Sequence, residues 1–343
     1  MIRIQNIYHM LAYAFQVLRE DSYAQMATEE FAHTLDLLAA ILAMGIGKQI
    51  RRGLGKEYVD RTETSSSPVG KINVSASVQQ QTMRKKRVTC CFDEFTENAY
   101  VNRILRSTAE LLLDCPGVSR PQKKALRKLL PFFHTIDTVR LSQIQWSGIR
   151  YHRNNVTYKM LMNICYLIIE GMLWTSRDGN QKLAQYVDDQ RMHELYERFV
   201  LEYYRKHFSD LHPAPRHIDW NVGDGMVDFL PTMKSDITLA RGNRRLIIDT
   251  KYYGRTMQTH GLYGSRSLHS NHLYQIFTYV KNADRNASGT VQGVLLYAKT
   301  DEDIVPDNEY RMGSNRIAVR TLDLNADFAS IAAKLDSVAV LLG

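Results

Sequence analysis

Residues 235–253, "SDITLARGNRRLIIDTKYY", read as two short strands joined at Arg241-Gly242-Asn243-Arg244. A two-residue turn at Gly242-Asn243 pairs Arg241 with Arg244, and a four-residue loop pairs Ala240 with Arg245. Both registers set Asp236 opposite Asp249. Side chains alternate along a strand, so Ile247, Asp249 and Lys251 share one face, and Leu246, Ile248 and Thr250 share the other. Directly opposed like charges destabilise a strand pair, and apolar surroundings make an unpaired carboxylate costlier still. A divalent cation removes the conflict. Mg²⁺ takes oxygen ligands, typically one or two carboxylates with water and substrate phosphate, and lowers the pKa of bound water. Lys251, two residues on, is placed to orient or deprotonate the attacking water or to steady the transition-state charge. The plain alternative is a solvated hairpin with Asp249 paired to Lys251 at the surface. The opposed Asp236 and the apolar "LII" leading into Asp249 argue against it.

The flanking helices extend the pattern. In "MHELYERFVLEYYRKHF" (192–208), Leu195, Phe199 and Tyr203 share an apolar face, and Glu194 and Glu197 are three apart. Glu197 lies between apolar positions and is a candidate further ligand, with a solvent-facing helical glutamate the equal alternative. In "NHLYQIFTYV" (271–280), Gln275 and Tyr279 are four apart and share a face that can meet the water, Lys251 or a phosphate. A helix cap and a core tyrosine explain them nearly as well.

The chain of 343 residues is long enough for two domains, and 44% hydrophobic with 23% charged residues is ordinary for a soluble globular protein. A net charge of +8 fits a polyanionic partner and equally a plain solvated surface. Four cysteines without a CxxC pair, two of them adjacent, favour a reduced setting over a disulfide framework. The first residues lack the pattern of a signal peptide, and the longest apolar stretch, "LLAAILAMGIG", falls short of the ~20 residues of a spanning helix. The expectation is a cytoplasmic protein with no membrane partner.

Apolar spacing predicts a first helix over 4–18 and a second starting near Thr28. A loop is expected at "DRTETSSSPVG", then strands at "KINVSASV" and "RVTCCFDEF" on either side of the basic tip Arg84, Lys85, Lys86 and Arg87. Helices follow from Thr96 and around Pro121. The pattern breaks at 145–155, giving a boundary near 150. Beyond it helices and strands alternate, so the second half is α/β.

Asp236, the Asp249-x-Lys251 pair, the Glu197 helix and the Gln275-xxx-Tyr279 helix, in this order, resemble the PD-(D/E)XK nuclease fold. "IQNIYHMLAYAF" (4–15), "RRGL" (51–54), "FDEFTENAYVNRIL" (92–105), "SDITL", "IIDTKYY" and "HLYQIFTYV" extend the resemblance over nearly the whole chain. Together they resemble the McrC family, the nuclease subunits of McrBC-type modification-dependent restriction systems. The resemblance implies an α+β N-terminal partner-binding domain over 1–150, with a strand and loop element around 56–95. An α/β PD-(D/E)XK endonuclease domain over 151–343, a mixed sheet flanked by helices, would follow. It implies an endodeoxyribonuclease acting on double-stranded DNA containing modified cytosine. Mg²⁺ or Mn²⁺ would be held by Asp236, Asp249, the Thr250 carbonyl and Glu197, with Lys251 and Gln275 catalytic. It further implies a McrB-like AAA+ GTPase hexamer as partner. That hexamer binds the GTP, and this chain stimulates its hydrolysis. Arg84 to Arg87 would contact the partner or DNA, as would Tyr279. One departure is Ser235, where the name-giving motif has proline.

"GIGKQI" and "GLGKEY" do not fit GxxxxGK[ST], so the chain itself is not expected to hydrolyse nucleotide. His260, His269 and His272 lack Cys or Asp partners at metal-ligand spacing. The second function class is a non-catalytic adaptor or GTPase activator with a degenerate nuclease fold, against which stand the intact Asp236, Asp249 and Lys251.

Overall fold

The computed structural model describes residues 2–15, 18, 23, 31, 33–151, 156–178, 189–223, 226–252, 257–259, 266–299 and 305–343. The helix start expected near Thr28 and His260 lie outside these residues. The helices are α1 (Ile4–Ala14), α2 (Thr34–Arg52), α3 (Val74–Gln79), α4 (Tyr100–Asp114), α5 (Arg120–Leu129), α6 (Val156–Asp178), α7 (Asp189–His207), α8 (Ser270–Ala283) and α9 (Phe328–Val340). The strands are β1 (Glu57–Ser65), β2 (Lys71–Ile72), β3 (Val88–Thr96), β4 (His217–Ile218), β5 (Met233–Lys234), β6 (Ile237–Arg241), β7 (Arg244–Lys251), β8 (Met257–Thr259), β9 (Arg266–Leu268), β10 (Val291–Ala298), β11 (Asn308–Met312) and β12 (Asn315–Leu322).

The chain divides into two compact units, one of residues 1–34 with 174–343 and one of residues 35–173. This corrects the division at 150. The first helix is buried nearly all round, from Asn6 to Ala14 save His9, as a core helix must be. It joins the C-terminal unit, where the Asn6 amide donates to the carbonyls of Leu324 and Ala326 at 2.7 and 2.8 Å. Tyr13 lies edge-on to Phe199 at 5.5 Å between ring centroids.

The first unit is built on a five-stranded mixed sheet in the order β11-β12-β10-β7-β6. β10 runs parallel to both β7 and β12, while β6 and β11 pair antiparallel at the edges. Ile247, Leu295, Tyr297, Ile317 and Val319 form a buried cluster with Ile276 and Val280 of α8. The alternate residues Leu246, Ile248, Val294 and Leu296 are equally buried, so both faces are covered, as parallel strands require. Gly293 allows the close approach of α8, because a Cβ there would meet Ile276 and Val280 at 2.8 Å.

The second unit combines helices with the antiparallel ribbon β1-β3-β2. Two expectations fail here. "DRTETS" is strand, not loop, because β1 pairs along its whole length with β3, from Glu57↔Thr96 to Ser65↔Val88. "KINVSASV" is strand only at Lys71–Ile72. The Asn73 side chain accepts from the Ala76 N–H at 3.0 Å and caps α3, so the local cap overrides the alternation. The helix expected from Thr96 begins at Tyr100, after Thr96 Oγ1 accepts from the Asn98 N–H. No described helix is long and apolar enough to cross a membrane.

Candidate metal centre

β6 and β7 turn through Gly242 and Asn243, with Arg241 opposite Arg244. Of the two turn residues only Gly242 has positive φ, +60°, the pattern of a type II′ hairpin. The ladder runs to Ile237↔Ile248, and Asp236, the next residue, lies in a bend just outside it, with its carboxylate reaching the Thr250 backbone beside Asp249.

The two carboxylates are treated differently. Asp236 Oδ2 accepts from the Thr250 N–H at 2.7 Å and the Thr250 hydroxyl at 2.9 Å, leaving its other oxygen for a ligand. Asp249 is fully buried. Its counter-charge is Lys251 Nζ, 2.6 Å from Oδ2, and no other described group donates to either oxygen. Burial raises the Asp249 carboxyl well above its ordinary range, with Lys251 opposing and the Asp236 charge adding to the rise. Buried carboxylates are ordinarily hydrogen-bonded, which makes this one a candidate ligand.

Lys251 is itself nearly buried. Its ammonium donates to Gln275 Oε1 at 3.0 Å, and Gln275 Nε2 donates to the Tyr279 hydroxyl at 3.0 Å. The two α8 residues singled out by their spacing therefore end on the lysine through one hydrogen-bonded chain. Ser235 pins the strand entry. Its N–H donates to the Arg216 carbonyl at 3.0 Å, and its hydroxyl lies 2.8 Å from Thr238 Oγ1.

From α7, Glu197 reaches the same place, and so does His193, which the sequence reading missed. One ligand atom each from His193, Glu197 and Asp236 lie within 4.8 Å of one another. The helical partner of Glu197 is thus the residue four before it, whereas Glu194 is exposed. The i, i+4 spacing was the available signal. Desolvation, then the Asp236 charge, pushes Glu197 up to about 7. Burial lowers His193. His272 is no metal ligand partner of His269 in this arrangement. Its Nδ1 lies 3.0 Å from the Tyr297 hydroxyl, and burial, then Lys251, pushes it down to about 4.

The donor set fits a hard divalent cation. Glu197 and Asp236 offer oxygens within one group, and the buried Asp249 carboxylate, held by Lys251 alone among the described residues, is a candidate third. In the other unit, Arg84, Lys85, Lys86 and Arg87 are exposed at the loop between α3 and β3.

Comparison with known proteins identifies the family. The family model for the McrBC 5-methylcytosine restriction system component matches residues 4–298. The type IV methyl-directed restriction enzyme EcoKMcrBC of Escherichia coli strain K12 is 25% identical over 334 residues, covering 96% of this chain and 95% of that protein. A chain of the half-complex from the tetradecameric assembly of Thermococcus gammatolerans McrB AAA+ hexamers with bound McrC shares the fold. Its TM-score is 0.50 at 16% identity, over 98% of this chain and 76% of that one. A chain of the T. gammatolerans McrBC complex matches at a TM-score of 0.42 and 18% identity, over 58% and 56% of the two chains.

Proposed function

This chain belongs to the McrBC 5-methylcytosine restriction system component family, and on that premise we propose that it is the DNA-cutting subunit of a restriction complex directed to methylated cytosine. Its first unit is read as a PD-(D/E)XK endonuclease. The observation that carries this is the buried Asp249 carboxylate, which among the described residues has only the Lys251 ammonium as a partner.

Asp236, Asp249, the Thr250 carbonyl and Glu197 would hold Mg²⁺ or Mn²⁺. The bound cation supplies a polarised phosphodiester and a water of lowered pKa. The chain's own groups do the rest. Lys251 is held against the site by Gln275, so its ammonium is fixed where it can orient the attacking water or offset charge on the phosphorane oxygens. Tyr279 fixes Gln275 in turn. Thr250, through its N–H and hydroxyl, keeps Asp236 in the rotamer that faces the ligand.

Cutting would depend on a McrB-like AAA+ GTPase hexamer, which binds the GTP and whose hydrolysis this chain stimulates. The relative's assembly of McrB AAA+ hexamers with bound McrC supports that partner. The ribbon of the second unit suits docking. Tyr58 and Phe95 are 73% and 57% exposed and pack in a tilted pair across β1 and β3, 4.8 Å between ring centroids, and the basic tip from Arg84 to Arg87 lies on the connection into β3. Large exposed aromatics of this kind mark interaction surfaces.

The test is reconstitution with the AAA+ partner, GTP and Mg²⁺ on plasmid DNA with and without methylcytosine. Cleavage confined to the methylated plasmid with GTP and both proteins is the expected result. GTPase activity is measured in parallel with and without this chain. Failure to stimulate it would remove the partner assignment, and failure to cut would leave the adaptor reading.

A further inference from the structure

The metal centre contains one residue that the oxygen-ligand reading leaves unused. His193 is four residues before Glu197 on α7, so both side chains leave the helix on one side. A ring nitrogen of His193, a Glu197 oxygen and an Asp236 oxygen lie mutually within 4.8 Å. Ligands about 2.0–2.2 Å from one small divalent cation fall within that spread. Asp236 Oδ2 accepts from the Thr250 N–H and hydroxyl, and its Oδ1 remains available as a ligand. His193 Nδ1 also lies 3.4 Å from the Tyr252 N–H. The buried Asp249 carboxylate has no hydrogen-bond donor besides Lys251 among the described residues.

We infer that His193 is a direct imidazole ligand of the divalent cation, completing a His193–Glu197–Asp236 ligand group. The inference rests on the metal-dependent reading of the site and adds its nitrogen ligand. An imidazole changes which cation the centre prefers. Nitrogen donors favour the later first-row metals, whereas Ca²⁺ gains little from them. The centre should therefore bind Mn²⁺ well ahead of Ca²⁺, and that margin should depend on His193.

Mn²⁺ is the probe, and the measurement is pulsed electron paramagnetic resonance on the full-length chain. Wild type should show one bound Mn²⁺ with a directly coordinated ¹⁴N. His193→Gln should lose that nitrogen signal and weaken Mn²⁺ at least about tenfold, while its Ca²⁺ affinity changes much less. Circular dichroism melts show whether the variant folds, and the ¹⁴N signal of wild type needs no variant at all. Bound Mn²⁺ without ¹⁴N coupling, or coupling retained in His193→Gln, overturns the ligand assignment and leaves the nuclease reading standing. Absence of Mn²⁺ binding by wild type overturns both.

Discussion

Two buried aspartates in the same unit have opposite surroundings. Asp284, at the C-terminal end of α8, is satisfied on both oxygens. Oδ1 accepts from the Ser288 N–H and hydroxyl, and Oδ2 from the Gly289 N–H and the Asn315 amide at 2.6–3.0 Å. Burial alone would raise its pKa, but these hydrogen bonds outweigh burial and hold it below the ordinary carboxylate value. Asp249, in the middle of the sheet, has only Lys251, and burial raises it. The first arrangement stabilises the fold and leaves no lone pair to offer. The second leaves most of its lone pairs without a donor among the described residues, as the proposed cation site requires. Buried ionised groups without full hydrogen bonding are costly, so their retention marks function.

The largest effects should come from the unsatisfied end. Lys251→Ala should reduce DNA cleavage by the reconstituted complex about 10²–10⁴-fold, the scale of a positioned catalytic group, with GTPase stimulation unchanged. Equal loss of both activities would mean that Lys251 matters for folding or docking instead. Next in size is stabilisation by the cation. Mg²⁺ at 100 times its Kd should add about 2.7 kcal/mol to wild type and to Asp284→Asn, and far less to Asp249→Asn. Thermal unfolding with and without Mg²⁺ measures it.

The smallest effect belongs to the satisfied aspartate and is one of stability alone. Asp284→Asn should cost roughly 1–3 kcal/mol at pH 7. A carboxyl held low in the folded state stabilises above its unfolded pKa, and that contribution is lost as pH falls through the folded value. The gap between wild type and variant in urea unfolding should therefore close in acid. A gap that widens in acid would break the contrast between the two aspartates.

Much of the site was legible because its signals are local. The turn residues and the period-two alternation specify the hairpin, and either register opposes Asp236 to Asp249. Four-residue spacing brought Gln275 and Tyr279 together on α8. His193 obeys the same rule, but Glu194 and Glu197, both acidic, drew attention from it. The strand Asn308–Met312 left no pattern, because an edge strand with four of five residues exposed has no apolar alternation to show. The division of the chain was hidden for another reason. Asn6 is bonded to Leu324, 318 positions away, and no window along the sequence contains both.

The central claim is that Asp249 is a carboxylate kept for a catalytic cation, and Asp249→Asn in the reconstituted complex tests it most directly. With GTP, Mg²⁺ and methylated plasmid, and with docking verified by unchanged GTPase stimulation, cleavage should fall at least about 10³-fold, while Asp284→Asn cuts like wild type per folded molecule. Undiminished cutting by Asp249→Asn would contradict the account.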